Sequence, residues 1–130
     1  FPSPYMSYLD HFSHERATSI YLEVLRLLEV EHWSRDAEMS AQRLAAHIGC
    51  DHRALSAALA ISTGSNYHNL VASVRVKEAA RCLKDPKYRD WNIEDIGLLC
   101  GFATRQSFYN AFRKFIGQPP KQYQKQHHVN

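Results

Sequence analysis

The sequence predicts an all-α fold on three observations. Apolar residues recur at helical spacing through most of the 130 residues. Most such stretches open on Ser, Thr, Asp or Asn and close at a glycine or proline, as helix starts and stops do. Strand-like alternation of apolar and polar residues is absent. The expected architecture is two helix-turn-helix units joined by a long bridging helix, with an extra helix at the N-terminus.

Ser13 precedes the first helix, whose apolar positions Ala17, Tyr21, Val24 and Leu28 keep helical spacing. The run His32 to Asp36 loses that rhythm and reads as a connection. Ser40 then opens AQRLAAHI, stopped by Gly49, and Asp51 opens HRALSAALAI, which ends near Thr63-Gly64. A longer helix runs from about Asn66 to Leu83 and closes at Lys84-Asp85-Pro86. Asn92 is expected to cap IEDIGLLC, stopped by Gly101. Thr104 caps RQSFYNAFRKFI, stopped by Gly117, and Pro119-Pro120 precedes a last turn around Tyr123.

The bridging helix carries two apolar stripes in succession. Tyr67, Leu70, Val71 and Val74 form the first, and Val76, Ala79, Ala80 and Leu83 the second, offset by about 180° around the helix. A rod between two small cores needs that pattern. About eighteen residues at ~1.5 Å each give ~27 Å, near the ~34 Å that separates two recognition helices on one face of a duplex.

Short helix, glycine, four-residue turn and second helix occur twice, over Ala41–Gly49–Ile61 and Ile93–Gly101–Ile116. This is the arrangement of a helix-turn-helix, whose second helix can enter a DNA major groove. In the second unit Phe108, Ala111, Phe112 and Phe115 share one side of the helix, which is expected to be core. Gln106, Tyr109, Asn110 and Arg113 point the other way, with Arg105 and Ser107 flanking them. In the same frame Leu55, Ala58 and Leu59 of the first unit take core places, and Arg53, Ser56, Ala57 and Ala60 match the outward set. Alanine can touch only a thymine methyl, so the second helix is expected to read more sequence.

Net charge is +3, but it is unevenly spread. Residues 1–40 carry three Lys or Arg against seven Asp or Glu, and residues 41–130 carry thirteen against six. No acid follows Asp95. The gradient points to an anionic partner for the C-terminal part, or to a solvated basic face. Cys50, Cys82 and Cys100 are odd in number and lack CxxC spacing, which argues against a disulfide framework or zinc site and fits a reducing, cytoplasmic setting. No apolar run approaches the roughly 18–20 residues of a membrane span, and no signal peptide is visible. The chain begins at Phe1, and a fragment of something longer is expected.

The segment NIEDIGLLCGFATRQSFYNAFRKFIGQPPKQY is similar to the second helix-turn-helix of the AraC/XylS transcription regulators. The resemblance lies in Ile96, Gly101-Phe102, Ser107, Phe108, Phe112-Arg113-Lys114, Gly117, Pro120 and Tyr123. Upstream, LAAHIGCDHRALSAAL and GSNYHNLVASVRVKEAARCL resemble the first unit and bridging helix, including Leu44-Ala45, Leu55-Ser56, Gly64, Arg75 and Ala79. The resemblance implies a DNA-binding domain over residues 38–126: a first unit over 38–65, the bridge over 66–84, and a second unit with a C-terminal turn over 91–126. Residues 1–37 are then a helix and connector to an upstream sensor outside this chain, and 127–130 a tail.

It further implies double-stranded promoter DNA and RNA polymerase as partners, usually in activation, with no cofactor and no membrane contact by this segment. Base-facing places fall on Arg53, Ser56 and Ala57, then on Arg105, Gln106, Ser107, Tyr109 and Asn110. His52, Arg113 and Lys114 complete the expected DNA-contacting set. Ala57 stands where many members carry a polar or basic residue. Gly97 replaces a common alanine and is expected to loosen its helix. The acidic lead-in looks like a subgroup that carries this domain at the C-terminus, the cytoplasmic end, of membrane-attached sensors.

Other chemistries find little footing. His11 with His14, and His127-His128, lie toward the ends without converging ligands, so no metal site is expected. Glu94 and Asp95 open a helix, where acids favour the dipole over acid–base work. Ser107 lacks a histidine at catalytic spacing, and no glycine-rich phosphate loop occurs, so no enzyme is expected. The competing reading is a helical protein-interaction module with Tyr109 and Arg113 as docking anchors.

Overall fold

The computed structural model describes residues 13–127, and the predicted element order holds throughout them. Seven α-helices occur among the described residues: α1 His14–Leu25, α2 Ala41–Ile48, α3 His52–Thr63, α4 Tyr67–Lys84, α5 Ile93–Leu99, α6 Arg105–Ile116 and α7 Pro120–Gln126. Ser13, Ser40, Asp51, Asn66 and Thr104 cap their helices, each side-chain oxygen accepting from a backbone N–H three residues on. Asn92 stands at the cap position of α5, but its side chain makes no capping hydrogen bond; Glu94 and Asp95 supply the favourable charge there. Beyond α1 the chain widens into a π-turn, Arg26–Val30, and then tightens into a 3-10 turn, Trp33–Arg35. The histidines His11 and His128 lie outside the described residues, and no group of three metal-ligating side chains occurs among those described.

Two cores flank α4 in the way its two stripes require. Tyr67, Val71 and Val74 join the first, with Leu44, Leu55 and Leu59; Val76, Ala79 and Leu83 join the second, with Ile96, Phe108 and Phe112. The N-terminal helix is no mere connector. Ala17, Ile20 and Val24 of α1 and Leu27 and Leu28 after it are buried in the first core, so residues from 14 onward belong to the domain body rather than to a lead-in. Without them Leu55 and Leu59 would lose a wall. Phe115 also departs from expectation. It ends the aromatic stripe of α6 at 38% exposure, against 0% for Phe108 and Phe112, because the second core closes before reaching it.

Gly97 proves to be a packing device rather than a weak point. A Cβ there would meet the Phe108 ring at 2.5 Å from Cδ2 and 2.8 Å from Cγ, so the ring occupies the space an alanine needs. Gly97→Ala is expected to lower unfolding stability by about 1–3 kcal/mol, the usual cost of overpacking. Adding Phe108→Leu should recover part of that loss. Urea unfolding of both singles and the double variant checks the coupling, and additive losses would contradict it.

Candidate nucleic-acid interface

The outward face of α6 is built from its first turn. Thr104 Oγ1 accepts from the Ser107 amide at 3.0 Å and Ser107 Oγ returns to the Thr104 backbone, a reciprocal capping box that starts the helix sharply. The Ser107 hydroxyl also donates to the Thr104 carbonyl at 2.9 Å. Ser107 is thus exposed as expected, but its hydroxyl is engaged in holding the helix start rather than presented to a ligand.

Arg105, Gln106, Tyr109, Asn110 and Arg113 line one shallow concavity. Gln106 Nε2 donates to Asn110 Oδ1 at 2.9 Å, so the two amides stand as a pre-aligned pair one turn apart. That pairing leaves the Asn110 amide able to donate and the Gln106 carbonyl able to accept, one donor beside one acceptor. Phe108 and Phe112 anchor the face from behind, completely buried.

Glu94, on α5, is a member of this face that helix periodicity alone could not find. Its carboxylate accepts from the Tyr109 hydroxyl at 3.2 Å and lies 3.4 Å from Arg105 Nε. A hydrogen bond from its own backbone amide, then the Tyr109 hydroxyl and the Arg105 charge, hold it below the usual carboxylate range. Arg105 also sits over the Tyr109 ring, 5.1 Å from its centroid. The Arg105–Glu94 pair is exposed, and such pairs are worth at most about 1 kcal/mol, so Arg105 can turn to a phosphate at little cost.

Lys114 faces sideways instead of outward. Its ammonium donates to Asn69 Oδ1 on α4 at 2.8 Å, across 45 residues of sequence. Arg113 remains exposed on the outer face.

On α3, His52, Arg53 and Ser56 are exposed where expected, but Ala57 is completely buried and touches no ligand surface. The cause is a wider buried arc. In α6 the turns bearing Ser107 and Asn110 are open, whereas the equivalent side of α3, bearing Ala54 and Ala57, is closed. α1 packs more extensively on α3 than on any other element, and α6 has no counterpart to it. Ala54 and Ala58 lie in the same core as Ala17, Ile20 and Val24 of α1, and their small side chains let the two helices approach closely.

With this geometry in place, the comparisons with known proteins agree. A family model described as a helix-turn-helix domain matches residues 44–126. An uncharacterized HTH-type transcriptional regulator of Staphylococcus aureus strain COL is 33% identical over 86 residues, 66% of this chain, and the chain spans 11% of that regulator's length. A transcriptional regulator of Chromobacterium violaceum, of the AraC-type DNA-binding domain-containing proteins, superimposes with a TM-score of 0.73 at 21% identity, over 85% of this chain and 94% of its own. The C-terminal domain of AraT, a response regulator from Geobacillus stearothermophilus, gives 0.69 at 22% identity, over 92% and 91%. The chain belongs to the AraC-type helix-turn-helix family of DNA-binding transcription regulators.

Proposed function

We propose that this chain is the sequence-reading module of a bacterial transcription activator, with α3 and α6 entering successive major grooves on one face of promoter DNA. Readout is unequal. The observation that carries this reading is the contrast between the two outward faces: a pre-aligned Gln106–Asn110 pair beside Arg105, Tyr109 and Arg113 on α6, against His52, Arg53 and Ser56 with Ala57 withdrawn on α3. Lys114 and Arg113 add attraction to the phosphates without base preference. RNA polymerase and an upstream sensing segment complete the regulator, which acts in the cytoplasm.

Selection from a random duplex library at moderate salt tests the reading. The expected result is two enriched blocks about 10 base pairs apart, the block under α6 sharper. Affinity should also fall steeply with salt, as several cations displace counterions. Absence of enrichment, with binding that ignores salt, would favour the protein-interaction module instead.

A further inference from the structure

Arg105 opens α6 with a side chain that is 71% exposed, yet its neighbours fix how it points. Glu94 of α5 pairs with it at 3.4 Å through Nε, the guanidinium nitrogen nearest the backbone. The Tyr109 ring carries the guanidinium, with Cζ 5.1 Å from the ring centroid. The Tyr109 hydroxyl donates to the same Glu94 oxygen at 3.2 Å. Arg105 is thus held from one side by the carboxylate and from another by the ring. Its terminal nitrogens, Nη1 and Nη2, have no hydrogen-bond partner among the described residues.

An acid in this place needs a reason. No carboxylate occurs from Gly101 to Tyr123, and the rest of the face bears Gln106, Asn110 and Arg113. A charge of the wrong sign beside a surface that meets a polyanion weakens the attraction. Complementing the helix dipole is one role for Glu94, but Asp95 at the next position fills it as well. What sets Glu94 apart is its contact with both Tyr109 and Arg105.

We propose that Glu94 is a positioning residue for sequence readout, holding Arg105 by Nε so that Nη1 and Nη2 meet the O6 and N7 acceptors of one guanine under the start of α6. This role rests on the DNA-binding reading. A guanine takes the two terminal nitrogens end-on and leaves the Glu94 pair intact. A phosphate beside the helix makes Arg105 swing away, which breaks the pair and uncovers the carboxylate against the backbone. The pair therefore survives on guanine and is lost on phosphate, so its strength becomes discrimination between them. For an exposed pair that is a factor of about five, and it grows as the duplex excludes water. The acid that weakens general attraction thereby sharpens the choice of sequence.

The test uses the duplex recovered from the library and a scrambled duplex of equal length, and reads selectivity as the ratio of their dissociation constants. Glu94→Ala should lower that ratio about fivefold, chiefly by tightening the scrambled complex. Glu94→Gln keeps an uncharged acceptor for Tyr109 and Arg105 and should recover part of the loss. Asp95→Asn removes an equal charge one residue on and should tighten both complexes alike, leaving the ratio unchanged. Replacing each guanine of the α6 block singly with 7-deazaguanine deletes the N7 acceptor. One position should cost the native chain about tenfold, and the Glu94→Ala chain about twofold once the fivefold advantage is gone. Arg105→Lys keeps the charge without the fork and should show little penalty at that position. Thermal melting checks that each variant folds, and where Glu94→Ala melts early, Glu94→Gln and Arg105→Lys carry the comparison.

An unchanged ratio in Glu94→Ala, or a guanine penalty as large as the native one, overturns the positioning role while sequence-specific binding stands. An equal fall in the ratio from Asp95→Asn assigns the effect to helix charge and also overturns it. Enrichment of an α6 block without guanine does the same. Binding that selects no sequence at all overturns the reading beneath it as well.

Discussion

Gly101→Ala is expected to cost about 3–5 kcal/mol and to lower the melting temperature by roughly 10 °C or more. Gly101 is buried with φ +107, in the left-handed region where a Cβ is strained. A methyl group there would also press into the Ser34 carbonyl oxygen, 2.8 Å from Arg75 Nε and 3.0 Å from Arg35 Cα. Those atoms form the junction between the two halves. Arg75, in the middle of α4, donates to the Ser34 and Asp36 carbonyls, and Arg35 pairs with the nearly buried Glu78 at 2.6 Å. The turn that joins α5 to α6 therefore rests directly on the connection that follows α1.

Displacing one moves the other, so α6 shifts relative to α3. DNA affinity should fall along with stability, because the proposed docking sets two helices in two grooves at fixed spacing. Circular dichroism melting checks the first effect and binding to the selected duplex the second. A melting curve like that of the native chain would refute this account of the junction.

The same junction marks where sequence reasoning reaches its limit. Caps and stops were legible because each is local: Ser40 to Arg43, Asp51 to Ala54 and Thr104 to Ser107 are contacts over three residues. The two stripes of α4 were legible because a helix repeats its own faces, and both stripes lie in the cores they announced. What failed to show depends on docking. Ala57 sits on the outward side by helix geometry alone, yet the assembled fold buries it completely. Gly97 looks like a loosened helix until the Phe108 ring is found against it. Glu94 reads as a helix-start acid, and becomes part of the α6 face because α5 brings it to Tyr109 and Arg105. Lys114 meets Asn69 only across the assembled fold. Ser107 is the near miss: Thr104-x-x-Ser107 is a capping box with serine where glutamate or glutamine is usual.

The stretch from Gly101 to Tyr123 carries no acid, and Glu94 reaches its face from α5. Asn110→Asp changes one exposed amide to a carboxylate of equal size at the centre of the α6 face. The helix itself has no reason to object. The introduced carboxylate would still accept from Gln106 Nε2 where Asn110 accepts now, at 2.9 Å, and it gains Arg113 three residues on as an opposite charge. Such pairs stabilise a helix by about 0.2–0.5 kcal/mol, so melting should hold or rise slightly.

DNA binding should go the other way, by about a hundredfold on the selected duplex. The amide donor that a base edge needs is gone, a loss of roughly 1–3 kcal/mol for a bidentate contact. The new charge faces the phosphates, and Arg113 is drawn from them to neutralise it. Glu94 shows how an acid is tolerated at this face: the Tyr109 hydroxyl and Arg105 occupy it from the side of α5. A carboxylate at position 110 would have no such cover outward. Asn110→Ala, by contrast, should relax the sequence preference with a smaller loss on unrelated duplexes, since it removes the donor and adds no charge. Melting and titration of the two variants against selected and scrambled duplexes separate the terms. Equal losses for the two variants on both duplexes would mean that position 110 never faces the polyanion, and the orientation assigned to α6 would be wrong.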